Sequence, residues 1–216
     1  MSHVTLIRHG QANTGARDEE SYDRLSPLGH QQSRWLGEYL DEAAAFHPRV
    51  FCGTLIRHVE TAHSAGLSDP IKDPRLNEIP YFTLANLLHQ QQGVDFPTER
   101  EGFIQHLPQV FAAWAAGEID GAPIAFDDYI TDVTDALKDI ASGAGPALVV
   151  TSGGLISMVM RGTLGLDMPA TARMALAIMN TSMHRVFPIG DELTPVLFNA
   201  VPHLDAPDRQ HAQTHV

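Results

Sequence analysis

Apolar and polar positions alternate along this chain in a way that predicts an α/β order of elements. His3 to Ile7 is a short apolar run that breaks at Arg8-His9-Gly10, the pattern of a buried strand leaving a sheet at a polar loop. Ser26-Pro27 supplies a helix cap followed by proline at the first helical position. Leu28, Trp35, Leu36, Tyr39, Leu40 and Ala43 then recur at helical spacing, which predicts a helix from about Pro27 to Ala45. Arg49 to Cys52 is a second short strand, and Gly53-Thr54 is a turn with a cap. Leu55, Val59 and Ala62 mark one face of a helix that ends near Gly66 and carries Arg57 in its first turn.

Strand signals stop between Tyr81 and about Pro123. Two helical stripes take their place, Leu84, Leu87 and Leu88, then Phe103, Leu107, Val110, Phe111 and Trp114. Phe126, Ile130, Val133, Leu137 and Ile140 form a further helix, closed by Gly143-Ala144-Gly145-Pro146. Ala147 to Thr151 is the most obvious buried strand, followed by Ser152-Gly153-Gly154 and an apolar helix to Leu164. Ala175 to Met179 and Met183 to Phe187 are strand-like, and Ile189-Gly190-Asp191-Glu192 turns the chain into an antiparallel edge hairpin with Leu193 to Val201. The order strand, helix, strand, helix predicts an α/β three-layer sandwich with a mostly parallel central sheet, an antiparallel edge strand and a helical cap insertion. A single domain is expected over residues 1–204, with the insertion at about 81–125 and a mobile polar tail at 205–216.

Composition narrows the partners. A formal net charge of −12 over 216 residues argues against nucleic acid and anionic membrane surfaces, which repel such a chain at long range. The small positive complement is nearly all arginine, Lys72 and Lys138 being the only lysines, and a planar guanidinium is suited to clamping phosphate oxygens. Cys52 is the sole cysteine and reads as a buried small hydrophobe, which excludes an intrachain disulfide and makes a reducing cytoplasm the expected compartment. No leader or apolar membrane span is evident. His58 and His63 stand five apart, off the spacing of a helical zinc pair, and no cofactor is implied.

Three polar clusters fall where strands end: Arg8-His9 after the first strand, Arg57 in the helix after the second, and Ser152-Gly153-Gly154 after the strand at 147–151. In a parallel sheet all three meet at the carboxyl edge, where helix N-termini add amide donors for an anion. Phosphoryl transfer needs a nucleophile in line with phosphorus, cations on the equatorial oxygens and an acid for the leaving oxygen. A neutral imidazole is a competent acceptor, provided its other nitrogen is held by a partner.

Val4-Thr5-Leu6-Ile7-Arg8-His9-Gly10-Gln11, then Leu25-Ser26-Pro27-Leu28-Gly29-His30-Gln31-Gln32, then Gly53-Thr54-Leu55-Ile56-Arg57-His58-Val59-Glu60-Thr61-Ala62 resemble three successive blocks of the histidine phosphatase (phosphoglycerate mutase-like) superfamily. Leu76-Asn77-Glu78, Gly153-Gly154 and Asn180-Thr181-Ser182 extend the resemblance over about residues 3 to 200. It implies a phosphomonoester hydrolase with His9 as nucleophile, Arg8 and Arg57 clamping the phosphate, and Glu78 as general acid. Gln11, Asn13 and Thr14 in the loop after His9 are placed to donate to phosphate, with Ser152 and Gly153 completing the expected phosphate contacts. Arg17 and Arg24 are further cations for an anionic leaving group.

One departure stands out. Ser152 occupies the position where most of the superfamily carries a second histidine, so the phosphoryl group loses a charged donor there. His184 and His63 are the candidates to compensate in space. A phosphate-binding pseudoenzyme with little turnover is one alternative. Phosphoglycerate mutase is another, disfavoured by the acidic run Asp18-Glu19-Glu20-Ser21-Tyr22, which would repel a carboxylate-bearing substrate. The expected partner is a small phosphorylated substrate or inorganic phosphate; the oligomeric state, a homodimer included, is left open.

Overall fold

The computed structural model describes residues 2–215 except positions 14, 17, 44, 46, 98 and 191, and at position 100 the backbone only. Thr14, expected near the phosphate, Arg17, expected as a cation for the leaving group, and Asp191 of the predicted turn therefore lie outside the described residues.

A mixed six-stranded sheet forms the middle layer. Its strands are β1 (Val4–Arg8), β2 (Arg49–Cys52), β3 (Ile71–Lys72), β4 (Ala147–Thr151), β5 (Met183–Ile189) and β6 (Glu192–Ala200), in the order β3-β2-β4-β1-β5-β6. The first four run parallel, whereas β5 is antiparallel to β1 and β6 to β5. This is the expected α/β sandwich with its antiparallel edge hairpin.

Side chains alternate across the central strands, so each strand feeds two cores. Val4, Leu6, Ala147, Val149 and Val186 pack on one side, with Leu137 and Ile140 of α6 (Phe126–Ser142) and Leu155, Ile156 and Val159 of α7 (Gly153–Leu164). Ile7, Leu148, Val150, Cys52 and Met183 pack on the other, with Leu36 and Leu40 of α2 (Pro27–Glu42) and Ala62 of α3 (Ile56–Ser64). Burial of both faces explains why β1 and β4 read as unbroken apolar runs rather than as an alternation.

The start signal of α2 acts as expected: Ser26 Oγ accepts from the Gly29 amide at 3.0 Å, with Pro27 in the first turn. The Gly53-Thr54 cap does not. Leu55 is the capping position of α3 and makes no side-chain bond; Asp23, far back in the chain, accepts instead from the amides of Ile56 (2.9 Å) and Arg57 (3.1 Å). The insertion is helical, with α4 (Tyr81–Gln92) and α5 (Arg100–Ala115).

Ala175 to Met179 is a misreading. Residues up to Ala177 belong to α8 (Met168–Ala177), where Asp167 caps the helix by accepting from the Ala170 amide at 2.8 Å and Pro169 sits in the first turn. Because α8 is packed between α5 and α7, its apolar residues continue past one helical face and resemble a strand. The two-residue β3 was unsignalled, its side chains being exposed. The stretch after Asp205, expected as a mobile tail, is largely exposed but anchored near its end: Ala212 is buried, its carbonyl and Thr214 Oγ1 accept from Gln32 Nε2, and the Thr214 carbonyl accepts from the Asn180 amide.

Candidate active site

The β1–β4 register brings the chemistry together. Arg8 stands opposite Thr151, and the His9 amide donates to the Thr151 carbonyl at 2.8 Å, so His9 and Ser152 leave the sheet side by side. Ile7 and Val150 point to the α2–α3 side, so the alternation sends His9 and Ser152 to that side and Arg8 and Thr151 to the other. Strand β2 ends beside β4, with the Gly53 amide donating to the Val150 carbonyl, which starts α3 at the same edge.

His9 is fully buried. Its Nδ1 lies 2.7 Å from the Gly10 carbonyl, an acceptor only, so Nδ1 carries the proton and Nε2 keeps its lone pair. Burial, then Arg57, Arg8 and His58, hold its pKa well below the usual histidine value, so the ring is neutral. Nε2 has no hydrogen-bond partner among the described residues, and neither do Arg8 Nε nor Arg57 Nε and Nη2. Arg57 Nη1 is taken by Asp23 Oδ1 at 3.0 Å, and Arg8 Nη1 donates to the Ile178 carbonyl. Each guanidinium is thus pinned at one nitrogen while Nε stays open, and in Arg57 the open Nε–Nη2 edge has the fork geometry suited to two oxygens of an oxyanion. Tyr22 closes over this cluster, its ring 6.2 Å from the His9 ring and 4.9 Å from the Arg57 guanidinium carbon.

The quoted sequence blocks owe much of their pattern to holding the loop after His9. A Cβ at Gly10 would fall 2.5 Å from the Gly29 carbonyl oxygen, so the loop approaches α2 only without a side chain there. Thr61 Oγ1 accepts from the Gly10 amide at 3.0 Å and donates to the Arg57 carbonyl at 2.7 Å, tying that loop to α3. The Gln11 amide donates to Gln32 Oε1 at 2.8 Å, and Glu60 Oε2 accepts from the Leu25 amide. Thr181, at φ 57° in a region β-branched residues avoid, donates its amide to the Arg8 carbonyl, and Asn180 Nδ2 donates to that of His9.

A cavity of about 560 Å³ opens over the cluster, with Arg8, Arg57, Gln11, Asn13, Glu78, Gly153 and Gly154 in its wall. Glu78 accepts from the Ile79 amide at 2.9 Å and stands 3.5 Å from that of Gly154, at the N-terminus of α7. Gln11 accepts from Ser26 Oγ through Oε1 at 2.8 Å, which aims its amide nitrogen away from that bond. Asn13 is exposed, and its Nδ2 donates to the Ser21 carbonyl at 3.0 Å, so it braces the segment that carries Tyr22. Arg24 pairs loosely with Glu60 (3.9 Å) outside the cavity.

The acidic run forms the short helix α1 (Glu19–Tyr22), capped by Asp18, whose Oδ1 accepts from the Ser21 amide at 2.7 Å. It sends Glu19 into the cavity wall, where Oε1 accepts from the Phe82 amide at 3.0 Å and burial pushes the carboxyl above its usual value. The rest of the wall is largely aromatic, with Tyr22, Tyr81, Phe82, Phe96, Phe103 and Phe111. The insertion supplies most of these rings, as a cap above the strand ends should.

Ser152 sits at the capping position of α7 yet makes no capping bond; its Oγ lies 2.6 Å from Nε2 of His58. His58 is fully buried, its ring centroid 5.7 Å from that of His9. The two compensators expected from the sequence lie elsewhere: His184, on β5, is bonded to Ser182 just before that strand, with burial and Arg8 holding its pKa down to about 3, and His63 is exposed on α3. His58 was legible only as a failed metal ligand, since nothing local ties it to a residue 94 positions away.

Fold and site define an α/β protein with a buried histidine and two arginines gathered at the carboxyl ends of its parallel strands. The profile of the histidine phosphatase superfamily (branch 1) matches residues 4–201, and the chain belongs to that superfamily. Among solved structures it resembles a mutant phosphoserine phosphatase from Entamoeba histolytica in complex with phosphoserine, at 18% identity and TM-score 0.70, covering 94% of this chain and all of that one. It also resembles a mycobacterial glucosyl-3-phosphoglycerate phosphatase in complex with VO3 (22%, 0.62, 93% and 100%) and a phosphoglycerate mutase from Bacillus anthracis (17%, 0.63, 94% and 94%). Phosphatases and a mutase thus share the fold. No curated protein matched the sequence.

Proposed function

We propose that the protein hydrolyses phosphomonoesters through a phosphohistidine on His9. The observation that carries this reading is the buried cluster in which His9 Nε2, Arg8 Nε and Arg57 Nε and Nη2 lack partners among the described residues, while His9 Nδ1, Arg8 Nη1 and Arg57 Nη1 are held by the Gly10 carbonyl, the Ile178 carbonyl and Asp23. Buried donors are rarely left unpaired, and a dianionic phosphoryl group satisfies all of these at once. His9 Nε2 attacks phosphorus, the bond to the ester oxygen breaks, and Glu78 gives that oxygen a proton. Water then attacks the phosphohistidine, passing its proton to Glu78, and inorganic phosphate leaves.

The cavity favours one kind of alcohol. Six aromatic rings stand in its wall, Glu19, Glu78 and Glu99 contribute carboxylates, and its arginines are the two committed to the phosphoryl group. A neutral or cationic, largely apolar leaving group fits this surface, and a phosphoglycerate does not, since its carboxylate would meet Glu19. Hydrolysis of 1-naphthyl phosphate and of 3-phosphoglycerate by the wild type and by His9→Ala tests the reading. Turnover of the naphthyl ester, at least tenfold better in kcat/KM than the phosphoglycerate and abolished by His9→Ala, is expected. Phosphate binding without turnover of either ester would contradict it.

A further inference from the structure

We propose that His58 and Ser152 form a hydroxyl–imidazole relay at the phosphoryl site, His58 orienting the Ser152 hydroxyl so that its proton points at a phosphoryl oxygen. The inference rests on the phosphatase reading and adds a positioning residue to it.

Three geometric facts support the pairing. Ser152 is in the position where serine ordinarily accepts from amides in the first turn of a helix, and it forgoes that bond for one to His58 Nε2 at 2.6 Å. The strand register sets Ser152 beside His9 on the same side of the sheet, while Gly153 and Gly154 after it line the cavity. His58 Nδ1 has no partner among the described residues, so the ring's one polar link is to the serine. No room exists for another group on that side, because a Cβ at Gly53 would lie 2.3 Å from Nδ1.

The direction of the bond follows from what the phosphoryl group needs. If Nδ1 carried the proton, Ser152 would donate to Nε2 and turn only lone pairs toward an anion. With the proton on Nε2, His58 donates to Ser152 Oγ and the hydroxyl proton is free to face the phosphoryl oxygen. Burial and the adjacent Arg57 hold His58 neutral, so the relay supplies an aimed dipole to a site whose positive charge comes from Arg8 and Arg57. A third buried cation beside those two would be repelled by both. The imidazole expected at position 152 is thus replaced by a hydroxyl there and an imidazole behind it, contributed by α3.

Vanadate binding and steady-state hydrolysis of 1-naphthyl phosphate by wild type, Ser152→Ala, His58→Leu, His58→Gln and the Ser152→Ala/His58→Leu double variant test the relay. His58→Leu and Ser152→Ala should each lower kcat by about 100-fold and weaken vanadate by at least tenfold, with KM within about threefold of wild type. The double variant should lose no more than either single one. His58→Gln places an amide donor near Nε2 and should recover most of the loss. Undiminished kcat and vanadate affinity in Ser152→Ala, or an equal further loss from His58→Leu in the Ser152→Ala background, overturns the relay. Ser152→Ala keeps the test open if His58→Leu does not fold, and vanadate affinity decides the matter if no variant turns over. His9→Ala separates the two readings: full activity there removes His9 as nucleophile, whereas loss there with none in Ser152→Ala removes the relay alone.

Discussion

Asp23 Oδ1 accepts from both the backbone amide and Nη1 of Arg57, at 3.1 and 3.0 Å, so one carboxylate caps α3 and pins the proposed phosphate clamp. Oδ2 takes the amide of Ile56 at 2.9 Å. The guanidinium it holds is 1% exposed, which makes this ion pair different in kind from a surface one.

Asp23→Ala should therefore be costly twice over. It removes a helix cap and leaves a buried guanidinium without its carboxylate, a loss of about 2–4 kcal/mol in unfolding free energy. The freed Arg57 edge also loses its aim, so KM for an aryl phosphate should rise by about tenfold or more. Asp23→Asn keeps an acceptor for the amides and should fall between the two. Urea denaturation together with a kcat against KM comparison checks both parts; an Asp23→Ala variant of wild-type stability would refute the coupling.

A second expectation concerns Gly154. An added Cβ there would come within 2.2 Å of Glu78 Oε1, whereas the helix itself tolerates alanine. Gly154→Ala should displace the proposed acid while leaving the thermal midpoint nearly unchanged. The signature is a dependence on the leaving group: hydrolysis of an alkyl phosphate falls by about 100-fold in Gly154→Ala and in Glu78→Gln, and that of 4-nitrophenyl phosphate, whose leaving oxygen needs no proton, by far less. Equal losses on both esters would remove Glu78 as the acid.

Much of the constellation was legible in the chain because it is local. A strand that runs out at Arg8-His9, a capped helix at Ser26-Pro27 and an apolar strand running into Ser152-Gly153-Gly154 are each patterns within ten residues, and the parallel sheet brings their ends together. What escaped was set by contacts across the chain. Asp23 reaches over more than thirty residues to cap α3, and Ser152 meets a histidine on another helix. Burial between α5 and α7 made α8 apolar enough at Ala175-Leu176-Ala177 to resemble a strand, although Asp167 and Pro169 carried its start signal.

Acid should unfold this protein earlier than its carboxylates alone would require. His9, His58, His184 and His203 are buried with lowered pKa values, down to about 3 in His184, through burial and Arg8, and to about 4 in His203, through burial and Arg209. Below pH 6.5 each binds a proton in the unfolded chain and none in the folded one, so stability falls with falling pH until the folded value is reached. Each contributes up to about 1.4 kcal/mol per pH unit in that window. The urea midpoint should drop steadily from pH 7 to pH 5, and replacing His203 with Gln should flatten the slope. A midpoint constant over that range would show that these rings protonate in the folded state.

The most direct test of the whole account is covalent. Protein mixed with excess 4-nitrophenyl phosphate, quenched in alkali on the millisecond scale and digested, should yield a phosphoryl group on the peptide carrying His9, formed at a rate consistent with turnover and absent in His9→Ala. Steady hydrolysis with an unmodified His9 peptide, or hydrolysis that persists in His9→Ala, would contradict the proposal that His9 receives the phosphoryl group.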